Sequence, residues 1–311
     1  MKILQIGRLS NDVNQHLERE YGALALWQQT QIDEFLQQFG ADFEVVVTSA
    51  AYGLTAAQIA LLPNLRAVCS FGVGYDSIDV AALQQKNIVL SNTPDVLTDC
   101  VADLAMGLMI DVSRGISAGD RYIRKGLWGS KQRMSMQVRV SGKRLGILGL
   151  GRIGAAIAGR AIGFNMEIAY HNRSKHPESD YVYLPSVQAL AQWADYLVVA
   201  CPGGAATEHL VDAAVLSTLG EHGYLINIAR GSIVDEQALV QALDNKQIAG
   251  AALDVFEHEP KVSQALMEND SVVLTPHIGS ATQETRMEMD KLLLDNVAAF
   301  VQEGRLLTAV G

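Results

Sequence analysis

Short apolar runs alternate along this chain with longer segments in which apolar residues recur every three or four positions. In residues 1–94 the apolar runs predict buried strands at residues 2–6, 43–48, 65–69 and 88–90. The periodic segments between them predict helices that cover residues 17–20, 32–38 and 55–61. Such alternation is typical of a parallel sheet covered by helices.

The helical spacing is longest over residues 99–124, which predicts one long helix. Residues 113–140 also form an arm with no evident apolar core of its own, in which Trp128 lies among glycines. An exposed aromatic arm favours a contact between subunits, whereas burial in a core is the more frequent fate of a tryptophan. Both interpretations of Trp128 stay open at this point.

Further apolar runs in the second half of the chain predict another sheet, wound in both directions from its centre. They cover residues 167–170, 196–200, 223–228, 248–253 and 272–274. With 311 residues the chain exceeds what one compact core usually serves, so two domains are expected. The predicted fold class is therefore α/β, with a parallel sheet in each of two domains.

The composition excludes several classes of function. The chain is 49% hydrophobic and 19% charged with a formal net charge of −10, so it lacks the basic surface of a nucleic-acid-binding protein. Its three cysteines, Cys69, Cys100 and Cys201, lack the spacing of a disulfide framework or a zinc site, and no metal is expected. No apolar run reaches the about 18 residues of a membrane span, and no signal peptide is evident. We therefore expect a cytoplasmic protein that binds neither nucleic acid nor membrane.

The sequence LGILGLGRIG at residues 145–154 places three glycines in G-x-G-x-x-G spacing between an apolar strand and a helix. In such a turn Gly149 permits the sharp bend, Gly151 leaves room for a pyrophosphate, and Gly154 lets the helix pack close to the strand. The amides that open the helix then face an anion. The alternative is a glycine turn without a ligand, which the strand and helix around the motif argue against.

The residue after the next strand discriminates between the two nicotinamide dinucleotides. Folds that prefer NAD place an acidic residue there, whose carboxylate binds the ribose 2′-hydroxyl and repels a 2′-phosphate. Here the position is Asn172, followed by Arg173, Ser174 and Lys175, which offer two positive charges and a hydroxyl. We therefore predict that NADP(H) is preferred and that NAD(H) binds more weakly.

Three residues whose side chains are able to take part in catalysis follow the last predicted strands. Arg230 comes after residues 223–228, Glu259 after residues 248–253 and His277 after residues 272–274. Because ligands of open α/β sheets bind beyond the carboxyl ends of the strands, these residues are expected to converge beside the cofactor. Taken singly, each has a structural alternative, namely a surface arginine, a solvated glutamate or a core histidine.

A glycine-rich loop in the first domain also offers a binding site. Residues 70–76 read SFGVGYD and follow a predicted strand, so the two glycines leave backbone N–H groups bare. Such a loop is able to hold a carboxylate. A glycine loop without a ligand is an equal alternative from this segment alone.

Four motifs, in order along the chain, carry a family resemblance: LGILGLGRIG, NIARGSIVDE, ALDVFEHEP and TPHIGSAT. They resemble the D-isomer-specific 2-hydroxyacid dehydrogenases, and most closely the branch of glyoxylate/hydroxypyruvate and hydroxyphenylpyruvate reductases. The resemblance implies a flavodoxin-like substrate domain of residues 1–94 and 282–311, and a doubly wound dinucleotide-binding domain of residues 95–281. It also implies that the arm near Trp128 belongs to a homodimer contact.

The activity implied by the resemblance is the reduction of a 2-oxo acid, such as glyoxylate, hydroxypyruvate or an aryl pyruvate, by NADPH. Hydride addition to the carbonyl carbon places negative charge on the oxygen, so the site needs a cationic clamp and a proton donor. Arg230 suits the clamp and His277 suits the acid, while Glu259 holds the other ring nitrogen and stabilises the imidazolium. By resemblance, the amides of Val73 and Gly74 bind the substrate carboxylate.

The resemblance implies further cofactor contacts and leaves two alternatives. The contacts are Arg152 and Ile153 at the pyrophosphate, Cys201 and Pro202 near the adenosine, Ile228 and Asp254 near the nicotinamide, and Ala229, Thr98 and Gly279 at other positions. The walls of the substrate pocket are expected to include Leu54, Phe71, Tyr75, Trp128 and Met287. The alternatives are an NAD-dependent enzyme like phosphoglycerate dehydrogenase and a corepressor-like protein that senses nucleotides.

Overall fold

The structure, a computed structural model, describes residues 1–131 and 133–310. Gln132, within the predicted arm, and Gly311, at the end of the predicted substrate domain, lie outside the described residues. The described chain divides into two compact units, one formed by Met1–Leu97 with the segment that begins at Thr282, the other by Thr98–Ala281.

The strands of the described residues are numbered here in chain order. They are β1 (Lys2–Gln5), β2 (Leu24–Ala25), β3 (Phe43–Ser49), β4 (Ala67–Phe71), β5 (Val89–Ser91), β6 (Arg144–Leu148), β7 (Glu167–His171), β8 (Val182–Tyr183), β9 (Tyr196–Val199), β10 (Tyr224–Asn227), β11 (Gly250–Leu253), β12 (Val272–Leu274) and β13 (Ala309–Val310).

The α-helices are numbered in the same way. They are α1 (Asn11–Tyr21), α2 (Ile32–Phe39), α3 (Ala56–Ala60), α4 (Val80–Gln85), α5 (Thr98–Arg114), α6 (Ile116–Arg124), α7 (Arg152–Ile162), α8 (Val187–Trp193), α9 (Ala213–Leu219), α10 (Glu236–Asp244), α11 (Gln264–Glu268) and α12 (Gln283–Glu303). Short 3-10 helices lie at Leu26–Gln28, Gly40–Asp42 and Gly231–Ile233.

The sheet of the first unit has the strand order β2-β1-β3-β4-β5-β13. Its first five strands are parallel and follow the flavodoxin-like order, whereas β13 pairs antiparallel with β5 at the edge. Helix α12 belongs to this unit because Leu293, Val297 and Phe300 are buried against β3 residues such as Val45 and Val47. The last long helix of the chain therefore completes the core that the first strands begin.

The sheet of the second unit has the order β12-β11-β10-β9-β6-β7-β8, with every neighbouring pair parallel. The direction of winding reverses between β6 and β9, which is the arrangement of dinucleotide-binding folds. Strands β9 and β10 are buried along their whole length, as expected of central parallel strands covered on both faces. The predicted α/β class with two parallel-sheet domains is confirmed.

The single helix predicted over residues 99–124 is wrong. Helix α5 ends at Arg114 and α6 begins at Ile116, because Gly115 adopts a left-handed conformation with φ of +60°. Glycine adopts that conformation at a lower cost than residues with a Cβ, so it interrupts the helix while the apolar spacing continues across it.

The arm that follows α6 is exposed. Trp128 has 79% of its surface accessible and Met136 has 98%, and α6 itself contains no buried residue. Burial of Trp128 in a core, one of the two interpretations of the sequence, is therefore wrong for the single chain. Among the helices of residues 1–131 and 133–310, none has the length and apolar character needed to cross a membrane.

Candidate active site

The predicted site residues of the second unit lie at one edge of its sheet. The glycine turn follows β6, Asn172 follows β7, Cys201 follows β9, and Arg230 follows β10. Asp254 and Glu259 follow β11 in the same way, and His277 and Gly279 follow β12. Because all these strands are parallel, their carboxyl ends share one edge, where open α/β sheets bind ligands.

The three glycines of the turn have distinct structural reasons. Gly149 has φ of +103°, and a Cβ there would lie 2.5 Å from the backbone nitrogen of Cys201. A Cβ at Gly154 would lie 2.2 Å from the carbonyl oxygen of Gly149, so helix α7 can approach the turn only with glycine at that position. At Gly151 a Cβ would meet open space, and among the described residues no side chain caps α7 there. Uncapped amides beside open space fit a pyrophosphate.

The end of β7 brings the discriminating residues to the same turn. The side-chain oxygen of Asn172 accepts a hydrogen bond from the amide of Leu150 over 2.7 Å. Asn172 therefore binds the glycine turn with a neutral side chain, where an acidic residue would add a negative charge. Arg173, Ser174 and Lys175 are exposed, so both cationic groups are accessible to a ligand.

His277 and Glu259 form a close pair. The ring Nδ1 of His277 lies 2.8 Å from Oε2 of Glu259, while Oε1 of Glu259 accepts from the amide of Phe256 over 3.0 Å. The imidazole is 48% exposed and the carboxylate 35% exposed. Glu259 is thus fixed through one oxygen and holds the imidazole with the other, which leaves Nε2 to exchange a proton with a substrate.

The surroundings of Glu259 favour its ionised form. Burial alone raises the pKa of this carboxyl, but the hydrogen bonds with His277 and Phe256 and the positive charges of His277 and Arg230 outweigh that effect. The pKa of Glu259 therefore lies below its usual value, and the group is a carboxylate at neutral pH. The charge of Arg230 also acts on this carboxylate, which brings the three predicted catalytic residues into one electrostatic group.

Local packing holds the Arg230 segment against the turn that carries Glu259. The side-chain amide of Asn227 donates to the carbonyl oxygen of Arg230 over 2.9 Å, and Nη1 of Arg230 donates to the carbonyl oxygen of Ala229 over 2.7 Å. A Cβ at Gly231 would lie 1.9 Å from the carbonyl carbon of Phe256. The two backbones are therefore in contact at a position where only glycine fits.

Asp254 organises the segment after β12. Its side chain is 1% exposed, and it accepts from the hydroxyl of Thr275 over 2.7 Å and from the amides of Ile278 and Gly279 over 2.8 Å each. Its carbonyl oxygen accepts from the amide of His277 over 2.9 Å. Whatever contact Asp254 makes with a cofactor, its carboxylate already determines the shape of the loop that presents His277.

The remaining predicted cofactor residues vary in accessibility. Arg152 and Ile153 form the first turn of α7, Thr98 begins α5, and Pro202 is exposed after β9. Ile228 is 7% exposed, and Ala229 is half-buried beside it. Burial raises the pKa of the Cys201 thiol to about 11, so Cys201 is a neutral thiol in this site.

The predicted carboxylate-binding loop lies in the first unit. Gly72 has φ of +114°, its amide donates to the hydroxyl of Thr93 over 2.9 Å, and its carbonyl oxygen accepts from the amide of Thr93 over 2.9 Å. The side-chain amide of Asn92 donates to the carbonyl oxygen of Val73 over 2.9 Å. The backbone leading into Gly74 is thus held by the end of β5.

Sequence reasoning missed several residues that build this site. Asn227, Gly231 and Thr275 fix the backbone around Arg230 and His277, and each lies within three residues of a catalytic candidate. The signal available in the sequence was the presence of small or amide-bearing residues at or shortly after the ends of strands, which is typical of tight turns. One predicted pocket wall is wrong, because Leu54 has 0% exposure and belongs to the core of its unit. No group of metal-ligating side chains occurs among the described residues.

Comparison with known proteins agrees with this geometry. The family model described as D-isomer specific 2-hydroxyacid dehydrogenase, NAD binding domain, matches residues 106–279. The glyoxylate/hydroxypyruvate reductase A of Arabidopsis thaliana is 44% identical over 308 residues, which cover 99% of this chain and 98% of that protein. The hydroxyphenylpyruvate reductase of Plectranthus scutellarioides is 43% identical, again with 99% of this chain and 98% of that protein covered.

Solved structures give the same result. The 2-hydroxyacid dehydrogenase of Ketogulonicigenium vulgare has a TM-score of 0.92 and 38% identity, with 100% of this chain and 98% of that chain covered. An NADPH-dependent glyoxylate/hydroxypyruvate reductase of Sinorhizobium meliloti, solved with NADP and malonate, has a TM-score of 0.91 and 38% identity, with 100% and 96% covered. As its four motifs predict, the chain belongs to the D-isomer-specific 2-hydroxyacid dehydrogenases.

Proposed function

We propose that this chain reduces a 2-oxo acid to the D-2-hydroxy acid with NADPH as the hydride donor. The proposal is supported by relatives that act, by their names, on glyoxylate, hydroxypyruvate and hydroxyphenylpyruvate, and by the structure of a relative solved with NADP. The observation that carries it is the contact of 2.8 Å between His277 and Glu259 at the carboxyl edge of a dinucleotide-binding sheet.

The catalytic residues then have complementary roles. NADPH, when bound, supplies a hydride to the carbonyl carbon of the substrate. The guanidinium of Arg230 holds the substrate carboxylate and carbonyl oxygen, where its positive charge stabilises the oxygen as it becomes anionic. The Nε2 of His277 gives that oxygen a proton, and Glu259 stabilises the imidazolium before the transfer and keeps the ring oriented. In the reverse direction, the same nitrogen accepts the proton.

The cofactor residues are proposed from the shape of the edge. The open space at Gly151 and the first turn of α7, with Arg152 and Ile153, would hold the pyrophosphate. Cys201 and Pro202 would lie near the adenosine, and Ile228, Ala229 and Asp254 near the nicotinamide. The remaining cofactor contacts, Thr98 and Gly279, stay predictions from the family resemblance.

The preference for NADPH is proposed from the end of β7. Asn172 is neutral and bonded to the glycine turn, while Arg173 and Ser174 are exposed beside it. A 2′-phosphate would gain charge-assisted hydrogen bonds from this segment and would meet no carboxylate. NAD(H) lacks that phosphate and would bind more weakly.

Binding of the substrate carboxylate by the amides of Val73 and Gly74 stays a prediction. The loop is rigidly held through Asn92 and Thr93, which suits a role in fixing a ligand. The cytoplasmic location and the assignment of the two units as substrate and dinucleotide-binding domains also stay predictions.

We propose a homodimer that pairs through the arm and α6. Large apolar side chains are exposed together along this stretch, with Ile116 at 58%, Ile123 at 56%, Trp128 at 79% and Met136 at 98%. Such a surface is typical of a protein interface. Light scattering after size exclusion should give the dimer mass for the wild type and a lower mass for a Trp128→Ser/Met136→Ser variant. A monomeric wild type at micromolar concentration would refute the proposal.

Steady-state turnover tests the proposed reaction. Wild-type protein with NADPH and a panel of 2-oxo acids should turn over at about 1–10³ per second on its best substrate. The His277→Asn variant should lose about 10²–10⁴-fold in kcat while its Kd for NADPH stays unchanged, because only the proton donor is removed. Asparagine is chosen because it tolerates the φ of +51° found at this position.

The same measurements separate the alternatives. NADPH binding without turnover on any 2-oxo acid would favour a nucleotide-sensing protein. Turnover that requires NADH and a phosphorylated 2-oxo acid would favour a phosphoglycerate dehydrogenase-like enzyme. Loss of NADPH binding in His277→Asn would mean that the histidine is structural.

A further inference from the structure

A second histidine–glutamate pair lies at the same edge of the sheet. The Nε2 of His209 is 2.9 Å from Oε1 of Glu257, and the two side chains are 42% and 24% exposed. His209 has φ of +48°, a conformation that costs energy for a residue with a Cβ. The backbone of His209 is therefore strained in the conformation that places its imidazole against Glu257.

The pair joins the loops that follow three neighbouring strands. His209 lies in the loop between β9 and α9, and its amide donates to the carbonyl oxygen of Ser232 in the segment after β10. Glu257 lies in the turn after β11, and its amide donates to Oε2 of Glu236 at the start of α10. The contact between His209 and Glu257 is thus part of a hydrogen-bond network that connects these loops.

The loops after β9 and β11, which carry His209 and Glu257, border the proposed site. On one side, the backbone of Cys201 packs on Gly149 of the dinucleotide turn, and the hydroxyl of Thr207 binds the carbonyl oxygen of Pro202 over 2.8 Å. On the other side, Glu257 precedes Glu259 by two residues, and Glu259 holds His277. A displacement of His209 would therefore move the loop that carries Cys201 and Pro202.

We propose that His209 is a positioning residue that, through Glu257, holds the loop of residues 201–209 in the conformation that binds NADPH. The inference rests on the proposed function, since it assigns this loop to the cofactor. His209 itself touches no reacting atom. Its contribution is to the affinity for NADPH rather than for the 2-oxo acid.

The charges around His209 make this contact depend on pH. The pKa of His209 is raised, because the hydrogen bond with Glu257 and the charges of Glu257, Asp235 and Glu208 outweigh the lowering effect of partial burial. A histidine with a raised pKa stabilises the contact fully at low pH and loses that stabilisation as the pH rises through the raised value. The KM for NADPH should therefore increase through that range.

The test uses the full-length protein and two variants of the pair. His209→Asn keeps a residue that tolerates positive φ but shortens the side chain so that it no longer reaches Glu257. Glu257→Gln removes the charge and keeps the size. The matched control is His222→Asn, because His222 is 92% exposed and lies 3.7 Å from Glu221 on the surface. NADPH binding is followed by fluorescence titration, and KM is measured from pH 6 to pH 9.

Both variants of the pair should raise the Kd and KM for NADPH by about two- to fivefold below the pKa of His209, as expected for a half-exposed ion pair. The KM for the 2-oxo acid should stay unchanged in both variants. The KM for NADPH should depend less on pH in the variants than in the wild type. The double variant should show little further loss, because each single variant already removes the ion pair. The control should match the wild type.

Amide hydrogen exchange adds a readout that does not depend on turnover. In the absence of NADPH, residues 201–209 should exchange faster in His209→Asn than in the wild type. Wild-type protein that fails to bind NADPH would refute the proposed function itself. Wild-type protein that binds NADPH, with variants of equal Kd, equal pH dependence and equal exchange, would overturn only the role of His209.

Discussion

The backbone amide of His277 donates to the carbonyl oxygen of Asp254 over 2.9 Å, which ties the segment after β12 to the end of β11. The side chain of Asp254 extends the contact to the amides of Ile278 and Gly279. The proposed proton donor is thus fixed twice, at its backbone by Asp254 and at its ring by Glu259. Such support on both sides is what precise proton transfer requires.

Asp254→Asn is expected to lower both stability and turnover. The carboxylate receives one hydroxyl and two amide donors, and an asparagine would point an N–H₂ group at some of them. A buried donor left without an acceptor costs about 1–3 kcal/mol, so the free energy of unfolding should fall by that amount. Denaturant titration measures the stability, and kcat should fall because the segment of His277 loses its anchor.

Asp270→Asn is the matched control for this prediction. Asp270 is exposed shortly before β12, so the same chemical change there should leave the free energy of unfolding within about 0.5 kcal/mol of wild type. An Asp254→Asn protein with wild-type stability and kcat would mean that the neighbouring amides find other acceptors.

Glu259→Gln is expected to reduce catalysis more than stability. The carboxylate holds the imidazole of His277, and in the proposed reaction it balances the charge of the imidazolium, whereas a neutral amide provides only a hydrogen bond. We expect kcat to fall by about 10²-fold, near the lower end of what general acid catalysis contributes. Steady-state kinetics with saturating NADPH measures the effect, and an unchanged kcat would contradict the assigned role of Glu259.

The pH dependence of stability gives an independent check on Glu259. Its pKa is lowered in the folded protein, because the bonds to His277 and Phe256 and the positive charges outweigh the effect of burial. A lowered pKa means that the stabilisation is complete at neutral pH and is lost as the pH falls through the folded value, below the usual value of about 4.3. The difference in melting temperature between wild type and Glu259→Gln should therefore shrink as the pH falls below that usual value. A difference that stays unchanged there would contradict the lowered pKa of Glu259.

The preference for NADPH is expected to depend on Arg173 and Asn172. Arg173→Ala removes a charge-assisted contact worth about 1.5–3 kcal/mol, so KM for NADPH should rise about 10- to 100-fold while KM for NADH stays unchanged. Asn172→Asp keeps the acceptor for the amide of Leu150 and adds a negative charge, so it should shift the preference toward NADH. The ratio of kcat/KM for the two cofactors measures both effects.

Lys246→Ala is the control for Arg173→Ala, because it removes a positive charge away from the proposed cofactor site. Lys246 is exposed between α10 and β11, at the amino-terminal edge of the same sheet. Its removal should leave the cofactor ratio unchanged. Equal kcat/KM for NADPH and NADH in the wild type, unaffected by Arg173→Ala, would refute the assignment of the 2′-phosphate site.

The positions of the site residues that come after the carboxyl ends of strands could be predicted from the sequence. Buried strands leave a strong apolar pattern, and parallel pairing brings their carboxyl ends to one edge, so Arg230, Glu259 and His277 could be placed together before any coordinates. The glycine turn could be predicted because Gly149 and Gly154 each have a steric reason and Gly151 leaves open space at the start of α7. The fold class followed from the same alternation of strands and helices.

The features that sequence reasoning missed depend on contacts between distant residues. The apolar spacing continues across Gly115, and periodicity therefore gave no signal for the left-handed residue that separates α5 from α6. Asp254 was expected beside the nicotinamide, but spacing could not show that its carboxylate binds the backbone after β12. The edge pairing of β13 with β5 joins residues far apart in the chain, and two-residue strands leave no periodic pattern.

Gly231→Ala is expected to damage both the fold and the alignment of the proposed catalytic residues. Its Cβ would lie 1.9 Å from the carbonyl carbon of Phe256, so one of the two backbones must move. Forced displacement of packed backbone costs up to about 3 kcal/mol, which denaturant titration would detect. Because Phe256 also binds Glu259, the movement should separate Glu259 from Arg230 and lower kcat in the protein that remains folded.

Gly107→Ala is the matched control, since Gly107 lies within α5 and no described atom is near its Cβ position. That change should raise the free energy of unfolding by up to about 1 kcal/mol. A Gly231→Ala protein with wild-type stability and kcat would show that this contact does not hold the site together.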